Sequence, residues 1–499
     1  MEAEERRLNE LVQRVVTRVR QESDPERGRG ALSSESARPT SGNQEEKSRV
    51  ETRRSTDAPD AGFATIDQAV TAAAQAQRAL MAQSLTQRGR IIAAMRAVAE
   101  DQAEVLARAA HAETGLGRWL DKRDKNLLAA RKTPGIEDLP SQAWSGDHGL
   151  TLTELAPYGV IGAITPVTNP TATIICNAIG MVAAGNAVVF NVHPGAKNVS
   201  AQCMHLLNQA IVGAGGPANL LTAVNEPTIA SAQELMHHPR VRLLVVTGGP
   251  GVVKAAMASG KKAICAGPGN PPVVVDETAD IDQAARDIVA GASFDNNVVC
   301  VLEKEIIVVD AVADALKAAL AAHGAYELAS WEMARLVKVI LPETRPAPEE
   351  SVINKALVGR DAAVILKQIG KHVDDSVRLA FAEVPRDHPL VWTEQLMPVM
   401  PLVRVASADE AIDLAIQAEG GRGHTATMHS KHLDHLSRMA REINASIFVK
   451  NGPATAGLGL NGEGFASFSI ASPTGEGVTS AKHFCRVRRC TLVDSFRIV

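Results

Sequence analysis

VIGAITPVTNPTATIICNAIGMVAAGNAVVFN, residues 160–191, decides the fold. Val160–Ile164 is a short apolar run halted by the polar, Pro-containing loop Thr165–Pro170. Thr171 to Ala184 reads as a helix closed by Gly185-Asn186, and Ala187–Asn191 as a second buried strand. The unit then repeats. His193-Pro194-Gly195 leads into a helix through Ala210; Arg242–Val246 runs into Thr247-Gly248-Gly249-Pro250-Gly251 and a helix from Val252 to Ser259. Strands alternating with helices predict a parallel, doubly wound α/β sheet. Ligands of such sheets sit outside the carboxyl ends of the strands, where these loops lie. The backbone N–H groups of Gly248, Gly249 and Gly251 offer a cradle for a pyrophosphate at a helix start. The loop departs from G-x-G-x-x-G, and a glycine-rich turn with no ligand has the same spelling.

The whole chain narrows the function by exclusion. Its 499 residues exceed one ordinary core and predict about two to three domains. A formal net charge of −4 gives no cationic field for nucleic acid or anionic lipid, and 3% aromatics leave little for stacking on bases. No apolar run approaches a membrane span, and the first residues, MEAEERRLNE, are charged where a secretory signal would be apolar. The six cysteines form no C-x-x-C pair and no cluster with metal-ligand spacing. Reduced thiols in a cytoplasmic setting are expected.

Ahead of the α/β region, Leu8, Leu11, Val12, Val15, Val16 and Val19 make an apolar stripe at helical spacing within residues 1–20. Residues 21–60 are Ser-, Glu-, Arg-, Gly- and Pro-rich, too poor in large apolar groups to offset ordering, and read as a disordered linker. A tethered amphipathic helix with no core of its own needs a surface, either its own domain, by folding back, or, as favoured here, a partner. A partner protein fits better than a membrane, because acids mix with the arginines and the stripe has no Trp or Phe. Residues 64–112 are predicted to form two or more helices, Asp121–Arg131 a charged one, and QAWSGDHGLTLTELA, 142–156, a hairpin or arm.

The chemistry-bearing stretch is GASFDNNVVCVLE, 291–303, which sets Cys300 after a polar turn and before an apolar run. A thiolate there can attack a carbonyl. The other five cysteines, Cys176, Cys203, Cys265, Cys485 and Cys490, read as small buried hydrophobes. His424 reads as a histidine satisfied within a loop. His429, His432 and His435, spaced by three, read as a solvated helix face, and no metal is expected.

Taken together, ITPVTNP (164–170), VVTGGPG (245–251), SFDNNVVC (293–300), EQLMP (394–398) and the tail GLGLNGEG…SPTGEGVTSAKHFCRVRRC resemble the aldehyde dehydrogenase superfamily from about Phe63 onward. With AICAGPGNPPVVVD (263–276), they look most like its coenzyme A-acylating branch, the acetaldehyde and propionaldehyde dehydrogenases of bacterial microcompartments. The resemblance implies two Rossmann-like domains. A cofactor domain would span 61–272 with a return segment at 453–475, and a catalytic domain 273–452. Residues 145–155 and 484–493 would form an oligomerisation arm pairing across subunits in a homodimer or homotetramer. Residues 1–20 resemble the peptides that dock such enzymes to a shell protein in the microcompartment lumen.

The resemblance also assigns roles. Cys300 becomes the nucleophile, and the Asn169 amide with the Cys300 backbone N–H the oxyanion donors; residue chemistry alone favours an Asx turn before Pro170 at Asn169. Thr165, Pro166 and Val167 fall beside the nicotinamide, Thr247, Gly248, Gly249 and Gly251 at the pyrophosphate, and Glu394 at the nicotinamide ribose. Without the family, Glu394 would pass for a solvated charge. Asn191 and Pro194 stand where many relatives carry a Lys and a Glu for the adenosine ribose, with His193 between them also placed at the cofactor, so NAD is expected with NADP left open. Ala266 takes the place of the glutamate that activates water in hydrolytic members, and Gly267 leaves room for a pantetheine arm. An acyl-enzyme lacking that base waits for a thiol. The expected reaction joins a short-chain aldehyde, coenzyme A and NAD⁺ to give acyl-CoA and NADH. A hydrolytic dehydrogenase and an inactive cargo or scaffold protein remain the alternatives.

Overall fold

The computed structural model describes residues 62–499. The helix expected over residues 1–20 and the linker over 21–60 lie outside the described residues. Strand β1 (Gly62–Phe63) precedes four helices, α1 (Ile66–Met81), α2 (Leu85–Asp101), α3 (Ala103–Thr114) and α4 (Trp119–Lys132). Thr65 and Ser84 cap α1 and α2 by accepting the third-residue N–H, which satisfies donors the helix cannot pair itself. A hairpin of β2 (Gln142–Gly146) and β3 (Gly149–Pro157) follows, where the arm was expected.

The α/β units come next: β4 (Val160–Ile164), α5 (Pro170–Ala183), β5 (Ala187–Asn191), α6 (Lys197–Gly213), β6 (Leu221–Val224), α7 (Ile229–His237), β7 (Val241–Thr247), α8 (Pro250–Met257) and β8 (Lys262–Ala266). Helix α5 is buried on every side, as its nearly all-apolar sequence requires. These strands build a six-stranded parallel sheet, ordered β1-β6-β5-β4-β7-β8. The chain leaves β4 toward β5 and returns on the other side as β7. That reversal opens a crevice at the carboxyl ends of β4 and β7.

A second parallel sheet takes over at β9 (Pro272–Val275). Helix α9 (Ile281–Ser293) leads to the cysteine turn and β10 (Glu305–Val309), α10 (Asp310–Ala322) and β11 (Ala325–Glu327). Helices α11 (Ser330–Ile340) and α12 (Ala362–Lys367) precede β12 (Leu379–Glu383) and β13 (Val399–Val405); α13 (Ala408–Glu419), β14 (Thr425–His429), α14 (Leu433–Glu442) and β15 (Ile447–Lys450) finish it. The order is β11-β12-β13-β10-β9-β14-β15. The chain then passes back beside the first sheet, where Leu458, Ala466, Phe468 and Ile470 join its core. A small pair, β16 (Ile470–Ala471) and β17 (Gly477–Val478), precedes the terminal strand β18 (Cys485–Val493).

Strand β18 pairs antiparallel with β3 over nine residues, from Cys485 opposite Pro157 to Val493 opposite Gly149. The two arm segments therefore pair with each other within one chain, forming one three-stranded sheet with β2. Two expectations are corrected. His429 is buried at the end of β14, because the strand turns it inward, while His432 caps α14 and stacks on His435. Cys490 is exposed on β18, a strand whose residues from Arg486 to Val493 are all exposed among the described residues. Cys176, Cys203, Cys265 and Cys485 are buried. Among the described residues no helix is long and apolar enough to cross a membrane, and no group of three or more His, Cys, Asp or Glu could hold a metal.

Candidate active site

The loops after β4, β5, β7 and β8 meet the turn before β10 around a cavity of ≈ 590 Å³. Ten of the residues singled out in the sequence line it. Cys300 and Asn169 lie there with Pro166 and Val167 from the loop after β4. His193 comes from the end of β5, and Thr247, Gly248 and Gly249 from the end of β7. Gly267 follows β8, and Glu394 arrives from the far side. Ala266 is the buried last residue of β8, and among the described residues Glu394 is the only carboxylate in the lining.

Three expected cofactor residues lie elsewhere. The Thr165 side chain turns into the interior at the end of β4, its Oγ1 buried without a partner among the described residues. Asn191 is spent on packing: its Oδ1 accepts from Ser231 Oγ at 2.6 Å and its Nδ2 donates to the Thr228 carbonyl, which secures the start of α7. Gly251 sits on the exposed first turn of α8, rotated away from the cavity.

The turn carrying Cys300 is held in an unusual backbone. Asp295, Asn296 and Asn297 have φ of 46°, 53° and 66°, three successive non-glycine residues in the left-handed region. Such residues persist only where surroundings over-determine them. Here every side chain is tied. Asn296 Nδ2 donates to the Gly359 carbonyl and to Asp361, both at 3.0 Å. Asn297 Nδ2 reaches the carbonyls of Ala292 at 2.7 Å and Glu303 at 3.0 Å. The fully buried Lys304 ammonium fills the middle, donating to Asn297 Oδ1 at 2.5 Å and to the carbonyls of Asn297 and Val299 at 3.1 and 3.3 Å. Asp295, also fully buried, takes Lys125 and Lys122 on one oxygen and the Arg118 N–H on the other. Breaking one such buried pair costs about 3–5 kcal/mol.

Electrostatics follow from burial. Burial and the nearby Glu394 push the Cys300 thiol up to about 12, against the pull of Lys304 and Lys125. Glu394 itself is raised to about 7 by burial, although Lys304 and the Gly269 N–H favour its charged form. His424 lies behind Gly269, whose Cα–Cβ direction points at both the Cys300 carbonyl and the imidazole. Burial lowers His424 to about 3, so it is neutral near pH 7; its Nδ1 meets Thr425 Oγ1 at 2.9 Å and its Nε2 has no partner among the described residues. The sequence reading of His424 as a satisfied loop histidine therefore fails on one nitrogen.

Asn169 occupies the N-cap of α5 yet makes no cap bond. Its side chain is free of the Asx-turn role that residue chemistry alone allowed. Oδ1 accepts from Lys125 Nζ at 2.5 Å, and Nδ2 donates one hydrogen to Thr168 Oγ1 at 3.2 Å. Lys122 and Lys125 were legible only as charges on an exposed helix, and no local pattern marks them as buried.

The site's shape suits a dinucleotide. Gly249 caps α8 with no side chain bonded to the first-turn N–H groups, and a Cβ added there would meet only open space. Those N–H groups and the helix dipole favour an anion. The Glu394 carboxylate, with one oxygen on Gly269, keeps acceptor capacity toward the cavity for ribose hydroxyls.

Known proteins share this chain's sequence pattern and fold. The aldehyde dehydrogenase family pattern matches residues 38–329. The acetylating acetaldehyde dehydrogenase EutE of Salmonella typhimurium is 53% identical over 438 residues, 88% of this chain and 93% of the relative. The propionaldehyde dehydrogenase of Rhodopseudomonas palustris, solved with bound CoA and an acylated cysteine, superposes with a TM-score of 0.84 at 51% identity, over 87% of this chain and 98% of that one. A propionaldehyde dehydrogenase from the fucose utilisation microcompartment of Clostridium phytofermentans gives 0.85 at 45% identity, over 88% and 100%. The chain belongs to the aldehyde dehydrogenase family, alongside its coenzyme A-acylating members.

Proposed function

We propose that this protein converts a short-chain aldehyde, coenzyme A and NAD⁺ into acyl-CoA, NADH and a proton, the alternative cofactor being NADP⁺. The carrying observation is a cavity that joins a cysteine and an uncapped asparagine amide while the β8 end offers alanine where a water-activating carboxylate would stand. Cys300 Sγ adds to the aldehyde carbon, and the Asn169 Nδ2–H and Cys300 N–H meet the oxygen as its charge develops. Collapse of that adduct leaves a thioester on Sγ, and the bound nicotinamide supplies the hydride acceptor. The coenzyme A thiol then attacks the thioester carbon, and Cys300 leaves as thiolate. Glu394, Gly248 and Gly249 hold the dinucleotide; His193, Thr247, Pro166 and Val167 shape its walls.

Glu394 gives the hydrolytic reading its one foothold, as a carboxylate in the same cavity. Omitting coenzyme A separates the two. The acylating reading requires at most one equivalent of NADH per site and then arrest; continued turnover at the parental rate without coenzyme A would overturn it. A substrate series from two to five carbons, read as kcat/KM, ranks acetaldehyde against propionaldehyde.

Residues 1–20 are proposed to dock a microcompartment shell protein through their apolar stripe. Deleting them should leave activity intact and release the enzyme from the shell fraction; unchanged co-purification would refute docking. The exposed sheet of β2, β3 and β18 is proposed as the contact of a homodimer or homotetramer. Light scattering of a variant lacking residues 484–499 should report a smaller species.

A further inference from the structure

Lys125 lies on α4 one turn after Lys122, and both ammonium groups turn inward. Spacing of three places them on one helix face. Lys125 Nζ donates to Asn169 Oδ1 at 2.5 Å and to Asp295 Oδ2. Lys122 Nζ reaches the same carboxylate oxygen at 3.1 Å and the Thr168 carbonyl at 3.3 Å. The second oxygen of Asp295 takes the Arg118 N–H at 2.7 Å, and the Asp295 N–H donates to Asp121 at 2.8 Å. Asp295 is fully buried and does not line the cavity, so whatever it does there passes through a neighbour.

An ammonium has donors and no acceptor, so it can meet only the carbonyl end of the Asn169 amide. That contact fixes which way the amide faces. With Oδ1 on Lys125, Nδ2 points the other way; one hydrogen goes to Thr168 Oγ1, and the second meets no protein acceptor among the described residues. A flipped amide would present Oδ1 to a developing oxyanion and repel it.

We propose that Lys125, anchored by Asp295, is a positioning residue that sets the rotation of the Asn169 amide so that its free N–H faces the oxygen on the Cys300 adduct. The proposal rests on the reading of Asn169 as oxyanion donor. It also gives a second use to the left-handed turn: the segment that presents Cys300 carries, in Asp295, the anchor of its oxyanion donor.

A double-mutant cycle on the full-length enzyme tests this, with kcat and KM measured for the aldehyde at saturating coenzyme A and NAD⁺. Loss of one oxyanion donor lowers kcat about 10²–10³-fold. Asn169→Ala and Lys125→Met should each fall in that range with KM changed far less, and the double variant should be no slower than Asn169→Ala alone. A kcat for Lys125→Met equal to the parent's overturns the proposal. So does a loss that is as large in the Asn169→Ala background as in the parent, which would make Lys125 mere scaffolding. Parental kcat in Asn169→Ala alone would instead remove the oxyanion reading, whatever Lys125 does. If Lys125→Met does not accumulate as folded protein, Lys125→Gln takes its place in the cycle, with the same outcomes supporting or overturning the proposal. Its donor sits one bond short of bridging Asn169 and Asp295.

Discussion

The Gly269 backbone N–H donates to the Glu394 carboxylate at 3.3 Å, which ties the link between the two parallel sheets to the far wall of the cavity. Burial holds Glu394 at about 7, above its ordinary 4.5. Between those values the folded state binds more protons than the unfolded one, so stability falls as pH rises from about 4.5 to about 7. Glu394→Gln removes that loss. Its melting temperature should exceed the parent's by a few degrees at pH 8 and converge with it near pH 5, while KM for NAD⁺ rises about tenfold or more. Thermal scans at the two pH values and a cofactor titration check both parts.

Cys300, pushed up to about 12, should not show the thiol titration of a free cysteine near 8.5. Its alkylation by iodoacetamide, read against a Cys300→Ser control, should climb about tenfold per pH unit from pH 7 to 10 without a plateau. Glu394→Gln should alkylate faster at every pH, because the second cause of the high value is gone.

Gly117 has φ of 65°, and a Cβ there would run into the Asp295 carboxylate. Gly117→Ala takes the left-handed cost of about 1–2 kcal/mol and displaces Asp295 from its lysines. The denaturation midpoint should drop, and kcat should fall with it, although Gly117 does not line the cavity.

Lys304→Met would leave Asn297 Oδ1 and the carbonyls of Asn297 and Val299 without their donor. Each buried acceptor left unpaired costs about 1–3 kcal/mol. Lower thermal stability and a kcat loss of about 10²-fold or more are expected, since the turn presenting Cys300 relaxes. Circular dichroism melts and steady-state rates measure the two effects separately.

The parallel strands with apolar runs were readable because each is short, fully buried and stopped by Pro or Gly. Val160–Ile164 and Ala187–Asn191 have the bounds expected of them. Leu221–Val224 escaped, because four residues with one threonine carry too little pattern. The cavity's composition was likewise legible through motifs at strand ends. What sequence could not display is burial of charge. Lys122 and Lys125 sit in a helix of ordinary polar spelling, and their partner Asp295 lies about 170 residues away. Glu394 reads as a surface acid until the fold closes over it. The left-handed run at 295–297 is equally silent, since Asn and Asp tolerate that backbone without requiring it.

The nine-residue ladder between β3 and β18 also sets a timetable. Its partners are separated by more than 300 residues of chain, so at ribosomal speeds β3 waits on the order of half a minute for its second neighbour. Until then one edge of β3 is bare, and it leads straight into β4 at the centre of the first sheet. An open edge of that kind is a template for pairing with another chain. Strand β18 thus works as a clasp on a much earlier one, and the nascent protein is most exposed to mispairing before residues 485–493 emerge.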